Sequence, residues 1–510
     1  MNPLCNRLHT MREALESPEL FAGVLPGETW AAWRVLLIAS QGEPLTDDER
    51  ATFTELTGRT REPDEPVDEF WNIVGRRGGK TRALAVLGSY LAGCIDYSAI
   101  EAPGERLKLV IMAQTTRTAR KAFGYITGIF EGSPELRQLL VNKSSDPEVT
   151  RWDMTQETIR LATGVDIEVV PANFKTVRAE TLIAALCDEV AFWHLENSAN
   201  PDTEILDAIR PGLATTGGPL CVLSSPYARK GELYTTFKRE FGDDGDPLTL
   251  VVKAPSVRMN PSLDPRVVER AYARDPASAG AEYGAEFRKD VEAFVTLEAV
   301  QACMKDGSLL ERGPAPSTRY TAFVDPSGGG ADSMTLAIAH ADGDVAILDA
   351  VREEFPGANP DAVVERFCAL LKTYGVRKVT GDRYAGAWVP ERFKQHGVTY
   401  EASERSKTDI YRDFLPVLNS ERVRLLNVPK LESQLVSLER RTSRGTGKDI
   451  IDHPQQKNAH DDVANAVAGA VVHVESRPRP LIVSREAVEA SKAHFAANPY
   501  RRTWTRRNGW

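Results

Sequence analysis

Several common features are missing from this sequence of 510 residues. Its six cysteines include no C-x-x-C pair and no zinc-like cluster with histidines. No apolar run is long enough to cross a membrane, and the N-terminus lacks the basic-then-apolar pattern of a secretory signal. These absences argue against a disulfide scaffold, a zinc domain and a membrane protein. We therefore expect buried, reduced cysteines in a protein of the cytoplasm.

An overall positive charge is also absent. The formal net charge is −9, so any DNA contact must come from local basic surface. The hydrophobic content of 42% is ordinary for a globular protein, and the length predicts two or more domains. Residues 476–510 carry eight Lys or Arg residues and two acidic ones, which predicts a basic tail, either solvated or ordered by a partner.

The order of apolar segments predicts two α/β units. Strands that alternate with helices favour a mostly parallel sheet covered on both faces in the first unit. In the second unit, the turn Ala341-Asp342-Gly343 joins two short strands and predicts that they are antiparallel. The predicted ranges are 1–255 (with a helical part at 1–60), a helix-like connection at 256–315 that ends in the Pro-rich GPAPS, a second unit at 316–475, and the tail at 476–510.

The predicted elements can be stated residue by residue. In the first unit the strands are at 72–75, 108–113, 182–187 and 220–224. In the second unit, strands are predicted at 319–325, 334–340, 344–349 and 377–382, and helices at 359–374 and from about Asp461 onward.

A Gly-rich turn, G-R-R-G-G-K-T, follows the first predicted strand. Glycines let backbone N–H groups surround phosphate oxygens, and the N-terminus of the following helix adds its positive dipole end. The lysine can reach the β- and γ-phosphates, and the threonine hydroxyl can ligate Mg²⁺. Val74 stands where the usual pattern has its first glycine. The predicted phosphate-binding residues are Gly75, Arg76, Arg77, Gly78, Gly79, Lys80 and Thr81.

The apolar run at 182–187 ends in two acids, Asp188 and Glu189. In a P-loop NTPase, a buried strand delivers such carboxylates to the nucleotide. Asp188 would hold Mg²⁺ through water, and Glu189 would polarise the attacking water. The strand that ends in Ser224 and Ser225 could sense the γ-phosphate. The candidates for an arginine finger are Arg76, Arg77 and Arg178, and the sequence does not choose among them.

Three aspartates in the second half lie at ends of predicted elements: Asp325, Asp382 and Asp462. Carboxylates at strand ends and at a helix start can converge at one edge of a sheet. Hard oxygen ligands suit Mg²⁺ or Mn²⁺, and two such ions can cleave a phosphodiester. Each aspartate could instead be a turn or capping residue. Spacing leaves Asp461 as an alternative to Asp462, with Asp332, His453 and His460 as weaker candidates.

With these motifs assembled, the chain resembles the terminase large subunits of tailed phages and prophages over about residues 60–475. The resemblance rests, in order, on V-G-R-R-G-G-K-T, L-C-D-E-V-A-F-W, L-S-S-P-Y, V-D-P-S-G-G, G-D-R-Y-A-G and H-D-D-V-A-N-A-V-A. It implies an ASCE-type P-loop ATPase domain followed by an RNase H-like nuclease domain. The family pattern favours the second aspartate of H-D-D, so Asp462 carries over as the metal ligand and Asp461 is held in reserve.

The resemblance also implies a mechanism and partners. ATP hydrolysis, with Mg²⁺, would drive double-stranded DNA through a portal protein into a procapsid. A Mg²⁺-dependent nuclease, with Mn²⁺ as a possible substitute, would cut concatemeric DNA. Members of the family act in the host cytoplasm as a homo-oligomeric ring, commonly a pentamer, with a small subunit that selects the DNA.

Three alternatives remain open from the sequence. A helicase or another DNA-remodelling ATPase would explain the first half and leave the three aspartates unused. A non-catalytic assembly protein would not need the intact Lys80, Thr81, Asp188 and Glu189. An RNase H-like recombinase or transposase with an ATPase domain would join strands and would need no portal.

Overall fold

The structure is a computed structural model. It describes residues 2–144, 152–173, 180–195, 198, 200–305, 307, 309–326, 333–355, 357–382, 388–442, 449–454 and 459–475. Within these ranges, no helix is both long and apolar enough to span a membrane. The predicted basic tail at 476–510, Arg178 and Asp332 lie outside the described residues.

The first half is built on a seven-stranded sheet. All neighbouring strands are parallel except β5, which runs antiparallel to β6 at one edge. The order is β5-β6-β4-β7-β8-β2-β9. Up to residue 254 the strands are β1 (Asn6–Arg7), β2 (Glu69–Val74), β3 (Ile95–Asp96), β4 (Leu107–Ala113), β5 (Thr158–Arg160), β6 (Val165–Pro171), β7 (Leu182–Asp188), β8 (Leu220–Ser224) and β9 (Thr249–Ala254), of which β1 and β3 form a separate pair.

Helices cover both faces of this sheet. All seven residues of β7 are buried, as expected for a strand with a helix layer on each side. One core lies between the sheet and α2, α4 and α5, and another between the sheet and α7 and α8. The helices are α1 (Met11–Glu16), α2 (Ala31–Ser40), α3 (Asp47–Thr57), α4 (Lys80–Gly93), α5 (Thr116–Gly132), α6 (Pro134–Arg137), α7 (Pro201–Leu213) and α8 (Gly231–Glu240).

The connection after β9 is only partly helical. It contains α9 (Ser256–Met259), α10 (Pro265–Arg274), α11 (Pro276–Glu282), strand β10 (Val291–Ala293) and α12 (Leu297–Ala302). The prediction of a helix-like segment missed β10, which pairs antiparallel with a strand of the second half. Three residues are too short to show a period of two in sequence, so only the partner strand reveals this element.

A six-stranded sheet forms the second half, in the order β15-β14-β11-β12-β13-β16. Strands β11 to β13 are antiparallel neighbours, while β14 and β15 are added parallel to β11 on its other side. The strands are β11 (Tyr320–Asp325), β12 (Met334–Asp342), β13 (Val345–Glu354), β14 (Lys378–Gly381), β15 (Thr399–Ala402) and β16 (Val423–Arg424). Two further strands, β17 (Glu439–Thr442) and β18 (Asp449–Asp452), form a three-stranded antiparallel sheet with β10.

This second sheet also has a helix layer on each face. Residues of α15, α16 and α17 form one core with the sheet, and residues of α13 and α14 form the other. The helices are α13 (Pro360–Thr373), α14 (Trp388–Gln395), α15 (Lys407–Asn419), α16 (Pro429–Ser437) and α17 (Asp462–Glu475).

The two strand orders confirm the predicted fold class. In the first sheet, β8 lies between β2, which precedes the Gly-rich turn, and β7, which ends in the two acids. Strand β8 thus takes the place of the additional strand of ASCE-type NTPases. In the second sheet, three antiparallel strands followed by two parallel ones is the RNase H-like order. The first sheet ends at Ala254 and the second begins at Tyr320, on either side of the predicted connection. The exact domain boundaries stay predictions.

Candidate active sites

The Gly-rich turn lies between β2 and α4, at the carboxyl end of the first sheet. Gly79 precedes α4 with a φ of 87°, a left-handed conformation that glycine adopts without cost. The Trp33 indole N–H, from α2, donates to the carbonyl of Gly78 at 2.7 Å. Helix α4 then begins at Lys80, so its N-terminal N–H groups and the turn face the same space.

The connection holds the turn from the other side. The Ser256 hydroxyl donates to the carbonyl of Arg76 at 2.6 Å, and the Asn260 amide donates to the carbonyl of Arg77 at 2.9 Å. Arg77 has a φ of 64°, which is unfavourable for a residue with a Cβ. The backbone N–H of Arg76 donates to the carbonyl of Glu282 at 2.5 Å. These contacts fix the turn in a conformation that its own sequence does not favour.

Lys80 is buried beneath this turn. Its ammonium group donates to the carbonyl of Val74 at 2.7 Å and to the Ser225 hydroxyl at 3.0 Å. Glu189 Oε1 lies 4.0 Å from the same nitrogen. Burial lowers the pKa of Lys80, and the carboxylates of Glu189 and Asp188 act against that shift. A phosphate in the turn would be a stronger acceptor for this ammonium group than a backbone carbonyl.

The two acids predicted beside Lys80 differ in their surroundings. Asp188, the last residue of β7, is buried, and burial together with the charge of Glu189 raises its pKa to about 7. Among the described residues its Oδ1 atom has no hydrogen-bond partner. An unpaired buried carboxylate oxygen fits a site for a hydrated cation, which would supply the missing partner. We expect Mg²⁺ there, where it would neutralise phosphate charge.

Glu189 follows in a left-handed conformation with a φ of 55°. Its Oε2 atom accepts the backbone N–H of Ser225 at 3.2 Å and the Ser224 hydroxyl at 3.4 Å. Non-glycine residues in this conformation concentrate at functional sites, where surrounding contacts hold them. The neighbouring strand β8 thus orients the carboxylate that the sequence assigned to water activation.

Two of the arginine-finger candidates, Arg76 and Arg77, differ in their contacts. The Arg76 guanidinium pairs with Glu282 at 3.0 Å, which restrains it on the connection. Arg77 is exposed, and its guanidinium makes no ion pair with any described residue. Thr81 lies in the first turn of α4 and is partly buried. The roles of Arg76, Arg77 and Thr81 towards a nucleotide stay predictions.

The predicted nuclease aspartates meet at one edge of the second sheet. Asp325 is the last residue of β11. Asp382 comes directly after β14, whose Gly381 is paired in register with Val324. The two aspartates therefore occupy adjacent positions where two parallel strands end. The backbone carbonyl of Asp382 accepts the Tyr400 hydroxyl at 2.8 Å, which holds this turn against β15.

Helix α17 brings Asp462 to the same edge. Asp462 is the first residue of the helix, and its Oδ2 atom accepts the backbone N–H of Ser333 at 3.1 Å. One turn further on, the Asn465 amide donates to Asp325 Oδ2 at 2.7 Å. Gly469 permits this close approach, because a Cβ there would clash with the Phe323 ring on β11. A larger residue would push the helix away from the strand.

The electrostatics of this edge favour a cation. Burial raises the pKa of Asp325 well above its ordinary value, and the charges of Asp462 and Asp461 add to the shift. A divalent cation among these oxygens would favour their charged forms. Carboxylates from three separate elements are the hard donors that Mg²⁺ and Mn²⁺ prefer, so the donor set fits.

The carboxylate of Asp461, the alternative metal ligand, already has three hydrogen-bond or ion-pair partners. It accepts the Lys407 ammonium group at 2.8 Å, the His453 ring nitrogen at 2.9 Å and the Tyr411 hydroxyl at 2.8 Å. Asp452 also pairs with Lys407 at 2.6 Å, so the carboxylates of both Asp452 and Asp461 already have a cationic partner. The geometry therefore favours Asp462 over Asp461 as a metal ligand.

Sequence reasoning missed the residues that orient these sites. Asn260, Asn465 and Lys407 are single polar residues, and no local motif distinguishes them from ordinary surface positions. Asn465 could have been predicted from the sequence, because it follows Asp461 by one helical turn on a predicted helix. His460 also lies next to the cluster in sequence and is partly buried, and its predicted role stays untested.

Comparisons with known proteins gave matches only among solved structures. No family model and no curated protein matches the chain. The large terminase of bacteriophage HK97 is 17% identical, with 80% of this chain and 91% of that chain covered and a TM-score of 0.35. The large terminase of a thermophilic bacteriophage is 11% identical, with 87% and 98% covered and a TM-score of 0.34.

A third match is to a nuclease domain alone. The large terminase nuclease of the thermophilic phage G20c is 17% identical, with 34% of this chain and 95% of that chain covered and a TM-score of 0.30.

Proposed function

We propose that this chain is a viral DNA-packaging ATPase and nuclease, the large subunit of a terminase. The observation that carries the proposal is the presence of two chemically different sites at the ends of two different sheets. Lys80, Asp188 and Glu189 converge at the first, and Asp325, Asp382 and Asp462 at the second. A helicase-like ATPase needs only the first site.

At the first site, the turn from Gly75 to Gly79 and the N-terminus of α4 would bind the phosphates of ATP. Lys80 would move from its backbone acceptors to the β- and γ-phosphates, and Thr81 and Asp188 would hold Mg²⁺. Glu189, oriented by the Ser225 backbone N–H, would take the proton of the attacking water. Of the two candidates that the structure describes, Arg77 is the one that we expect to stabilise charge on the γ-phosphate, because Arg76 pairs with Glu282.

At the second site, the three aspartates would hold one or two divalent cations, which would activate water and stabilise the leaving oxygen of a phosphodiester. Asn465 would fix the orientation of Asp325. The overall charge of −9 argues against wrapping of DNA around the whole surface, so contacts would be local and salt-sensitive. Double-stranded DNA would be the substrate of the nuclease site and the polymer that ATP hydrolysis at the first site moves.

The partners follow from the same proposal. A motor that moves duplex DNA into a procapsid would act as a ring, commonly of five copies, on a portal protein, and a small subunit would choose the DNA. The basic segment at 476–510 is a candidate for contact with the portal or with DNA. The site of action would be the cytoplasm of the infected host.

Triplex displacement tests translocation on duplex DNA. The full chain is incubated with ATP and a linear duplex that carries a triplex-forming third strand, and release of that strand is measured. We expect release that is lost in Lys80→Ala and retained in Asp382→Asn. Separation of the two duplex strands would instead support a helicase, and joined DNA products would support a recombinase.

A further inference from the structure

A buried carboxylate joins the two halves of the molecule. Glu439, the first residue of β17, has no exposed surface. Its Oε2 atom accepts the Tyr227 hydroxyl at 2.8 Å, and its Oε1 atom lies 3.1 Å from the Lys230 ammonium group. Arg441, on the same strand, also donates to Oε2 at 2.8 Å. A buried charge is costly without partners, and here two of the partners come from the first half.

The segment that carries Tyr227 is held at further points. The backbone N–H of Arg288, in the connection, donates to the carbonyl of Tyr227 at 2.7 Å. The Phe192 ring packs against the Tyr227 ring with a centroid distance of 5.6 Å. The tyrosine hydroxyl is therefore directed at Glu439 by contacts on both sides of the segment.

The other end of the same segment lies at the proposed ATP site. Ser225, two residues before Tyr227, contacts Lys80 with its hydroxyl at 3.0 Å and donates its backbone N–H to Glu189 at 3.2 Å. Pro226 lies between them, and its ring restricts its own φ angle and the conformation of Ser225. A displacement of Tyr227 is therefore expected to displace Ser225 as well.

We propose that Glu439, a residue of the nuclease half, is a positioning residue of the ATP site: through Tyr227 it fixes the segment whose Ser225 orients Glu189. The proposal rests on the proposed ATPase function. The phosphate-binding turn has its own contacts with Ser256 and Asn260, which do not involve Glu439. Loss of the Tyr227–Glu439 contact should therefore slow hydrolysis and leave the binding of ATP nearly unchanged.

The test compares Tyr227→Phe, Glu439→Met and the double variant with wild type, all as full chains; methionine matches the shape of glutamate but has no oxygen to accept the Tyr227 hydroxyl. Tyr374→Phe is the matched control, because that hydroxyl also bonds across elements, to the carbonyl of Arg312, but far along the chain from Tyr227. Steady-state ATP hydrolysis gives kcat and KM. Metal-dependent cleavage of supercoiled plasmid by the same samples reports on the other site.

We expect kcat for ATP to fall about fivefold in each single variant, as for the loss of one well-placed hydrogen bond, with KM within about twofold of wild type. Adding Tyr227→Phe to Glu439→Met should slow hydrolysis no further, since Glu439→Met has already removed the acceptor of the Tyr227 hydroxyl. Plasmid cleavage and the Tyr374→Phe control should stay within about twofold of wild type.

Three results would overturn the proposal. Unchanged hydrolysis in both single variants would refute the positioning role, and additive losses in the double variant would show independent effects. A parallel loss of hydrolysis and cleavage would reveal general damage to the fold. A wild-type chain that hydrolyses no ATP would refute the proposed function itself, whereas an active wild type with unaffected variants would refute only the role of Glu439.

Discussion

Substitution of Asn260 by alanine should weaken ATP binding without changing the chemical step. The Asn260 amide donates to the carbonyl of Arg77, which is the residue of the phosphate-binding turn with a φ of 64°. A left-handed conformation costs a non-glycine residue about 1–2 kcal/mol, and the hydrogen bond offsets roughly 1 kcal/mol of that. Without it, the turn should leave its binding conformation more often.

The expected size follows from that figure. A loss of about 1 kcal/mol in the free energy of the bound conformation corresponds to roughly a fivefold higher KM for ATP. We expect kcat to change by less than about twofold, because Glu189 and Ser225 do not contact Asn260. Steady-state hydrolysis and titration with a fluorescent ATP analogue would measure both quantities.

Two further variants make this prediction specific. Asn427→Ala is the control, since Asn427 also donates its amide to a backbone carbonyl, that of Gly307, away from the turn. Arg77→Gly also removes the proposed arginine finger, so in that background only the titration with the ATP analogue is used. There, Asn260→Ala should weaken binding less, because glycine adopts a positive φ without help. An unchanged KM in Asn260→Ala, or an equal effect in both backgrounds, would refute the reasoning.

Three other predictions concern the nuclease half and the N-terminal helices. Asn465→Ala should raise the Mg²⁺ concentration needed for half-maximal plasmid cleavage by about tenfold, because Asp325 loses its 2.7 Å donor, and a metal titration that matches wild type would contradict this. Gly469→Ala should lower the free energy of unfolding by about 1–3 kcal/mol and reduce cleavage, because the new Cβ would clash with the Phe323 ring. Thermal melts and cleavage assays equal to those of wild type would contradict this prediction. The Arg50 guanidinium lowers the pKa of Glu62 to about 2, so this carboxylate stabilises the fold at pH values above its ordinary pKa and loses that effect as the pH falls towards 2. Glu62→Gln should therefore flatten the acid side of a plot of Tm against pH. A curve parallel to that of wild type would disprove this prediction.

The fold could be predicted from the sequence where strands are long and buried on both faces. The runs at 108–113 and 182–187 became β4 and β7 with nearly the predicted bounds, because continuous apolar strands give a strong signal. Strands β6 and β9 were missed although they have seven and six residues, because Asp166, Glu168 and Lys253 interrupt their apolar runs. The short strands β5, β10 and β16 were missed as well. Elements of two or three residues depend on their pairing partners, which a single sequence does not reveal.

Some residues of the candidate sites could likewise be placed from the sequence, and others could not. The positions of Asp188 and Asp325 at the ends of strands could be predicted, because an apolar run points to the edge of the sheet where they lie. The choice between Asp461 and Asp462 could not be made from spacing, because adjacent residues are distinguished only by the partners they meet. In the structure, Lys407 and Tyr411 contact Asp461, whereas Asp462 is the first residue of the helix whose Asn465 donates to Asp325.

The most direct test is one plasmid-cleavage and ATP-hydrolysis experiment on wild type, Lys80→Ala and Asp382→Asn, with Mg²⁺ or Mn²⁺ and with EDTA as the metal-free control. Two separate sites predict that Lys80→Ala abolishes hydrolysis and still cuts DNA, while Asp382→Asn hydrolyses ATP and cuts nothing. DNA-stimulated hydrolysis without metal-dependent cleavage under any condition would contradict the proposed nuclease and favour a helicase-like ATPase.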